Sequence, residues 1–195
     1  MEGIQDKKIE IRNETEKKIE ALADSELTKK YQHIEKRLFE FANFLESKIS
    51  LLYMNTDYEV NTRNIVQKCF DYNKVVVLPV FEDDKRRVKL MKANQIDTDL
   101  VTGARGVLEP NPERCKPIPI ESIDIAIIPG IAFDEKGGRI GTGRGYYDKL
   151  IPRLSITTRK VALALECQIV AQIPMESHDR HVDIIITEDR IIYKI

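Results

Sequence analysis

Five short, unbroken apolar runs limit what this chain of 195 residues can fold into. They read "ISLLYM" from 49, "VVVLPV" from 75, "IDIAIIPG" from 123, "KVALALE" from 160 and "VDIIIT" from 182. Each is closed off by charge, proline or glycine. A strand with one wet face alternates apolar and polar residues, whereas a strand without alternation is covered on both faces. Helix candidates lie between the runs, near 60–71 and from about 145. Strand alternating with helix predicts an α/β fold, a mainly parallel sheet flanked by helices. Residues 81–122 are charged, proline-bearing and irregular, and read as short strands and loops. The closing "DRIIYKI" reads as an edge strand after a turn.

The beginning of the chain is different. Leu27, Tyr31, Ile34, Leu38, Phe41 and Leu45 step by four and three, which makes one apolar stripe on one helix, with Ser25 as its cap. Before it, Ile4, Ile11, Ile19 and Leu22 share a helix face. Lys8 and Arg12 are four apart, so their side chains emerge together beside that face. The expected organisation is a single domain over 1–195, with a helical amino-terminal part at 1–47 and an α/β core at 48–195.

Charge excludes some function classes. With 31 basic and 32 acidic residues the net charge is -1, so no global field draws the chain to nucleic acid or to an anionic membrane. Any polyanion site must be local. The three cysteines, Cys69, Cys115 and Cys167, lie far apart, which argues against a disulfide framework and a zinc site. A reducing cytosol is the expected home. The charged start, "MEGIQDKKIEIRNE", lacks the apolar segment of a signal peptide, and the apolar runs fall far short of the ~20 residues that span a bilayer.

The local site is legible in "GGRIGTGRGYYD", residues 137–148, which holds five of the nine glycines. It follows a buried strand and precedes a helix start, the place where open α/β sheets bind ligands. Glycines let successive N–H groups turn inward, and the start of a helix adds unpaired donors. Arg139 and Arg144 add full charges whose forks can each grip two phosphate oxygens. The stretch is thus predicted to cradle phosphate, although its spacing is neither that of the Walker loop nor that of the dinucleotide fingerprint. Asp148 follows directly. Beside a polyphosphate it can hold Mg²⁺, which takes one or two carboxylates together with phosphate oxygens. A second carboxylate must come from elsewhere; Asp183, at the head of the "VDIIIT" run, is the first candidate and Asp179 its competitor. His178 and His181 form an HxxH pair, better read as surface histidines than as a zinc site because no third ligand is suitably spaced. One of Tyr146 and Tyr147 is expected to pack and the other to face ligand.

With these residues in view, the chain resembles the 5-formyltetrahydrofolate cyclo-ligase (methenyltetrahydrofolate synthetase) family. The long stretch "IPGIAFDEKGGRIGTGRGYYDKLI" carries most of the likeness. "KIEIR" at 8, "YEVNT" at 58, "GARGVLEP" at 103 and "HDRHVDIIITE" at 178 match further family elements in order. The resemblance implies a Rossmann-like sheet with amino-terminal helices, of the NagB/RpiA/CoA transferase-like kind. It implies ATP- and Mg²⁺-dependent closure of 5-formyltetrahydrofolate to 5,10-methenyltetrahydrofolate, with ADP and phosphate released and the formyl oxygen phosphorylated on the way.

By the same resemblance, Lys8 and Arg12 contact ATP, and Arg12 also lies near the folate. Arg139, Ile140, Gly141, Thr142, Gly143, Arg144, Gly145, Tyr146 and Tyr147 wrap the phosphates, with Arg139 and Arg144 the catalytic cations. Thr142 through Tyr146 also touch the folate. Glu59, with Met54 beside it, binds the pterin, and Asp148 and Asp183 hold Mg²⁺. The implied partners are 5-formyltetrahydrofolate and ATP, with no nucleic acid or membrane, in a cytoplasmic monomer or weak homodimer. Two other readings stand beside this one. The first is a relative that binds nucleotide or phosphate without turnover. The second is a related isomerase or CoA transferase, disfavoured because the loop supplies arginines where those enzymes need a carboxylate.

Overall fold

The computed structural model describes residues 3–82 and 87–194. Three helices come first: α1 (Ile4–Glu20), α2 (Asp24–Glu40) and α3 (Ala42–Glu46). They are followed by β1 (Ile49–Leu51), α4 (Arg63–Asp71), β2 (Val75–Glu82), β3 (Arg87–Ala93), α5 (Ile96–Asp99), β4 (Leu100–Thr102), β5 (Leu108–Pro110) and β6 (Lys116–Pro117). The rest comprises β7 (Ile125–Ile128), β8 (Ala132–Asp134), β9 (Arg139–Ile140), α6 (Tyr146–Leu150), β10 (Arg159–Leu163), β11 (Ile169–Val170), β12 (Ile184–Ile186) and β13 (Ile191–Tyr193).

The main sheet has the order β13-β12-β10-β7-β1-β2-β3-β6. Its five central strands are parallel and are the five apolar runs; β13, β3 and β6 are antiparallel additions at the two edges. The absence of alternation in those runs has the expected cause. Ile125 and Ile127 pack into a core with Ile34, Leu38 and Val66 of α2 and α4, while Ala126 and Ile128 pack on the other face with Leu150 and Ile151. Both faces are therefore dry. Truncating a side chain as enclosed as Leu38 to alanine costs about 2–5 kcal/mol.

Three expectations from the sequence need correction. The stripe at 27–45 is not one helix: at Phe41 the backbone turns extended (φ -76°, ψ 117°) and α3 starts anew, leaving Leu45 exposed. The cap of α2 is Ala23, with Ser25 inside the helix. The region 81–122 contains a seven-residue strand, β3, paired antiparallel along β2 from Val76–Ala93 to Glu82–Arg87. Among the described residues, no helix is long and apolar enough to cross a membrane.

Candidate active site

The parallel strands end on one edge of the sheet, and a cleft of about 140 Å³ opens there. Its walls come from the loop 141–145 and the start of α6, from Lys8 and Arg12 of α1, from Glu59 and Arg105, from Pro129 after β7, and from His178 and Asp179. The hairpin β8–β9 carries the glycine loop back to this edge. Its turn needs Gly137, where φ is +83° and a Cβ would lie 2.3 Å from the Val182 carbonyl oxygen. Gly145, at φ +69°, lets the loop turn sharply into α6.

The arginines and the lysine differ in how far they are committed. Arg139 is buried; its terminal nitrogens donate to the Pro129 carbonyl (3.1 Å) and to Asp148 Oδ1 (3.0 Å), while its buried Nε has no hydrogen-bond partner among the described residues. Arg144 projects from the exposed part of the loop with Thr142, Gly143 and Gly145. Arg12 Nε donates to the Gly141 carbonyl at 3.1 Å, so α1 steadies the loop directly. Lys8, one helical turn earlier, is ion-paired with Asp179 and with Glu176 (3.0 Å). Burial alone would lower the Lys8 pKa, but its bonds to Asp179 and Glu176 outweigh that and hold it above the usual lysine value. For Asp179, burial raises the carboxyl, and the Glu176 N–H and Lys8 more than reverse it.

The structure separates Asp148 from Asp183. Asp183 precedes β12, so it sits at the opposite edge of the sheet, where its Oδ2 accepts from the Lys160 N–H (3.0 Å) and lies 3.2 Å from Lys160 Nζ. It does not line the cleft. Asp179 does, and the next residue, Arg180, donates its backbone N–H to Asp148 Oδ1 at 3.2 Å. Of the two candidate second carboxylates, Asp179 therefore shares the cleft with Asp148 and Asp183 does not line it. His178 joins Glu176 and Asp179 in a cluster whose potential ligand atoms lie within 4.8 Å of one another, and His181 is outside it. Tyr146 and Tyr147 do not divide their roles: both are core residues and both border the cleft.

A second, smaller cavity of about 20 Å³ adjoins the first, lined by Tyr53, Met54, Pro79, Phe81 and Leu108. Glu59 faces both cavities and is 7% exposed. Its Oε2 accepts the Thr56 N–H at 2.8 Å, yet burial still lifts its carboxyl above the usual glutamate value against the pull of Arg105 and Arg139. Met54 lies half-buried in the same wall. The Tyr147 hydroxyl is buried and has no hydrogen-bond partner among the described residues. Arg105 escapes a reading of the sequence because it lies in the irregular stretch. Its signal is an arginine held between Gly103 and Gly106 on the tight β4–β5 hairpin.

A dry parallel sheet, with a glycine-rich cleft at the carboxyl ends of its strands where five cations outnumber three carboxylates, defines an α/β protein with a cleft suited to an anionic ligand. Comparison with known proteins narrows that class. The model of the 5-formyltetrahydrofolate cyclo-ligase family matches residues 4–188, and the chain belongs to this family. A Haemophilus influenzae protein named 5-formyltetrahydrofolate cyclo-ligase is 32% identical over 135 residues, 69% of this chain and 72% of that one. A Schizosaccharomyces pombe protein named as a probable 5-formyltetrahydrofolate cyclo-ligase is 31% identical over 89% of this chain and 91% of its own. Among solved structures, Aquifex aeolicus 5,10-methenyltetrahydrofolate synthetase superposes with a TM-score of 0.84 at 28% identity, covering 96% of this chain and 92% of that one.

Proposed function

We propose that this protein closes 5-formyltetrahydrofolate to 5,10-methenyltetrahydrofolate at the expense of ATP. The observation that carries the reading is the junction of the two cavities: a cationic phosphate cradle shares the Glu59 wall with a slot of apolar side chains. The amides of 141–145, with Arg144 and Arg12, suit the nucleotide phosphates, and Lys8 reaches them only by leaving its ion pairs with Asp179 and Glu176. Glu59 suits the amino-pyrimidine edge of a pterin, which offers two N–H donors to one carboxylate. The slot, at about 20 Å³, has room for little more than a water, so the pterin must widen it. Met54, unbranched and half-buried, is the wall residue best able to yield.

The chemistry then needs little covalent help from the protein. The formyl oxygen attacks the γ-phosphorus; the bond to the bridging oxygen breaks and its electrons leave with ADP. The N10 amine adds to the activated carbon, loses its proton, and phosphate departs with the C–O electron pair. Positioning and charge neutralisation supply most of the acceleration. The second coordinate of that positioning is Arg139, which is fixed by Pro129 and Asp148 and so pins the loop to the end of β7.

The donor set also fits Mg²⁺. Asp148 and Asp179 offer hard carboxylate oxygens at the cleft: Asp148 Oδ2 has no hydrogen-bond partner among the described residues, and Asp179 has Oδ1 to give, its Oδ2 being held by Lys8 and the Glu176 N–H. We assign the ion to this pair in place of Asp148 and Asp183; bound there, it would neutralise phosphate charge. We read the chain as one domain whose helical part at 1–47 supplies Lys8 and Arg12. We further place it in the cytoplasm, acting as a monomer or weak homodimer. Three free cysteines accord with a reducing compartment. The test is the appearance of methenyltetrahydrofolate absorbance from 5-formyltetrahydrofolate, with and without ATP and Mg²⁺. Product that requires both is expected, and no product from folded protein would refute the reading.

A further inference from the structure

The two cavities share four wall residues: Glu59, Arg105, Pro129 and Tyr147. If phosphates occupy the larger cavity and the pterin the smaller, the formyl oxygen and the γ-phosphorus meet along this shared wall. Glu59 repels a phosphoryl group, and the Pro129 carbonyl is taken by Arg139. Arg105 is the one cation of the four.

Its state differs from that of its neighbours. Lys8 is spent on two carboxylates, Arg139 on a carbonyl and Asp148, and Arg12 donates to Gly141. The guanidinium of Arg105 makes no hydrogen bond or ion pair among the described residues. It lies 4.2 Å from the centroid of the Phe81 ring and 5.4 Å from that of Tyr146. Stacking holds the plane of a guanidinium by its face and leaves its N–H edges unspent. The hairpin beneath is firm: Gly103 donates to the Val107 carbonyl at 2.8 Å and Gly106 to that of Gly103 at 3.0 Å. Beside Arg105, the buried Tyr147 hydroxyl is a second polar group with nothing to bond. A cation and a hydroxyl, neither hydrogen-bonded among the described residues where two cavities join, form a receptacle for an anion that exists only while the two substrates react.

We propose that Arg105 is a catalytic residue that binds the phosphoryl group as it passes from ATP to the formyl oxygen, with the Tyr147 hydroxyl as the adjoining donor. The proposal rests on the cyclo-ligase reading of the site. As the bond from the γ-phosphorus to ADP breaks and that to the formyl oxygen forms, the equatorial oxygens face the Arg105 fork. When N10 adds to the formyl carbon and the C–O bond breaks, the same fork receives the charge left on the departing phosphate. An interaction made mainly in the transition state lowers kcat and leaves KM nearly unchanged when it is removed.

The test compares wild type with Arg105→Ala and Arg105→Lys, by steady-state kinetics in each substrate with ATP and Mg²⁺ present and thermal melting as a check of the fold. Loss of one preorganised charge at a reacting centre costs about 10²–10³ in kcat. That loss is expected in Arg105→Ala, with both KM values within about threefold of wild type and partial rescue by added guanidinium ion. Arg105→Lys, which keeps the charge without the fork, is expected to lose at least about tenfold in kcat, and it decides the matter if the alanine variant fails to fold. A raised folate KM at unchanged kcat would make Arg105 a stacking platform and overturn the proposal, as would wild-type kinetics. An inactive wild type would instead remove the cyclo-ligase reading beneath it.

Discussion

The tie between Lys8 and Asp179 joins the amino-terminal helix to the segment that flanks the phosphate loop, and its strength can be worked out. Lys8 Nζ contacts Asp179 and lies 3.0 Å from Glu176, and the Lys8 and Asp179 side chains are each 9% exposed. An exposed ion pair contributes about 0–1 kcal/mol, whereas losing one partner of a fully buried pair costs about 3–5 kcal/mol. This pair is enclosed but opens on a cleft, so Lys8→Met should cost about 2 kcal/mol, between those limits. A cycle with Asp179→Asn, followed by urea denaturation at neutral pH, should give a coupling of at least about 1 kcal/mol.

The pH dependence has a definite sign. The Lys8 pKa is raised above 10.5, so its share of stability is intact below that pH and disappears as pH climbs through the folded value. The Asp179 pKa is lowered below 3.8, so its share is intact above that pH and disappears as pH drops through the folded value. The gap between wild type and Lys8→Met should therefore be widest between these limits and shrink outside them. Additive single variants, or a gap that ignores pH, would refute the view that this tie docks α1.

Four further outcomes are expected. Gly137→Ala should destabilise the protein by at least about 2 kcal/mol in thermal or urea melts, because strain at φ +83° adds to the clash with the Val182 carbonyl. Asp148→Ala should reduce the cyclisation rate at least about tenfold and raise the Mg²⁺ requirement, while Asp183→Ala leaves that requirement unchanged; the reverse pattern would restore the pairing first read from the sequence. Arg144→Ala should cut kcat/KM for ATP at least about tenfold. Glu59→Gln should raise the folate KM more than the ATP KM and flatten the pH dependence of stability. Burial raises the Glu59 pKa above 4.5, so between that value and the higher folded one the native protein loses stability as pH rises, at up to about 1.4 kcal/mol per pH unit, and the loss levels off above the folded pKa; the amide shows none of it.

What the sequence made legible follows from the range of the forces involved. Runs such as "VVVLPV" and "IDIAIIPG" report burial on both faces, a property of each strand alone, and they became the five parallel strands. β3 was hidden because its charged residues alternate with Val88 and Leu90, a one-sided pattern inside a stretch that looked irregular. The break at Phe41 was hidden because the apolar stripe runs through it; tertiary packing ends α2, not a local signal.

The same distinction divides the site. The glycine loop announces itself by composition. Asp183 abuts an apolar run, but the head of a parallel strand lies at the edge opposite the cleft, and Asp179 lines the cleft where Asp183 does not. Arg105 reaches the cleft only through the β4–β5 hairpin and the ring of Phe81, contacts between segments that no local pattern encodes.

Where the two ligands sit decides the mechanism, so the most direct measurement is a crystal structure with a non-hydrolysable ATP analogue, Mg²⁺ and 5-formyltetrahydrofolate. The expected density places the triphosphate against the amides of 141–145 and the pterin against Glu59, with the terminal phosphate and the formyl group meeting beside Arg105 and Tyr147. Triphosphate bound away from the glycine loop, or a folate that does not reach Glu59, would contradict it.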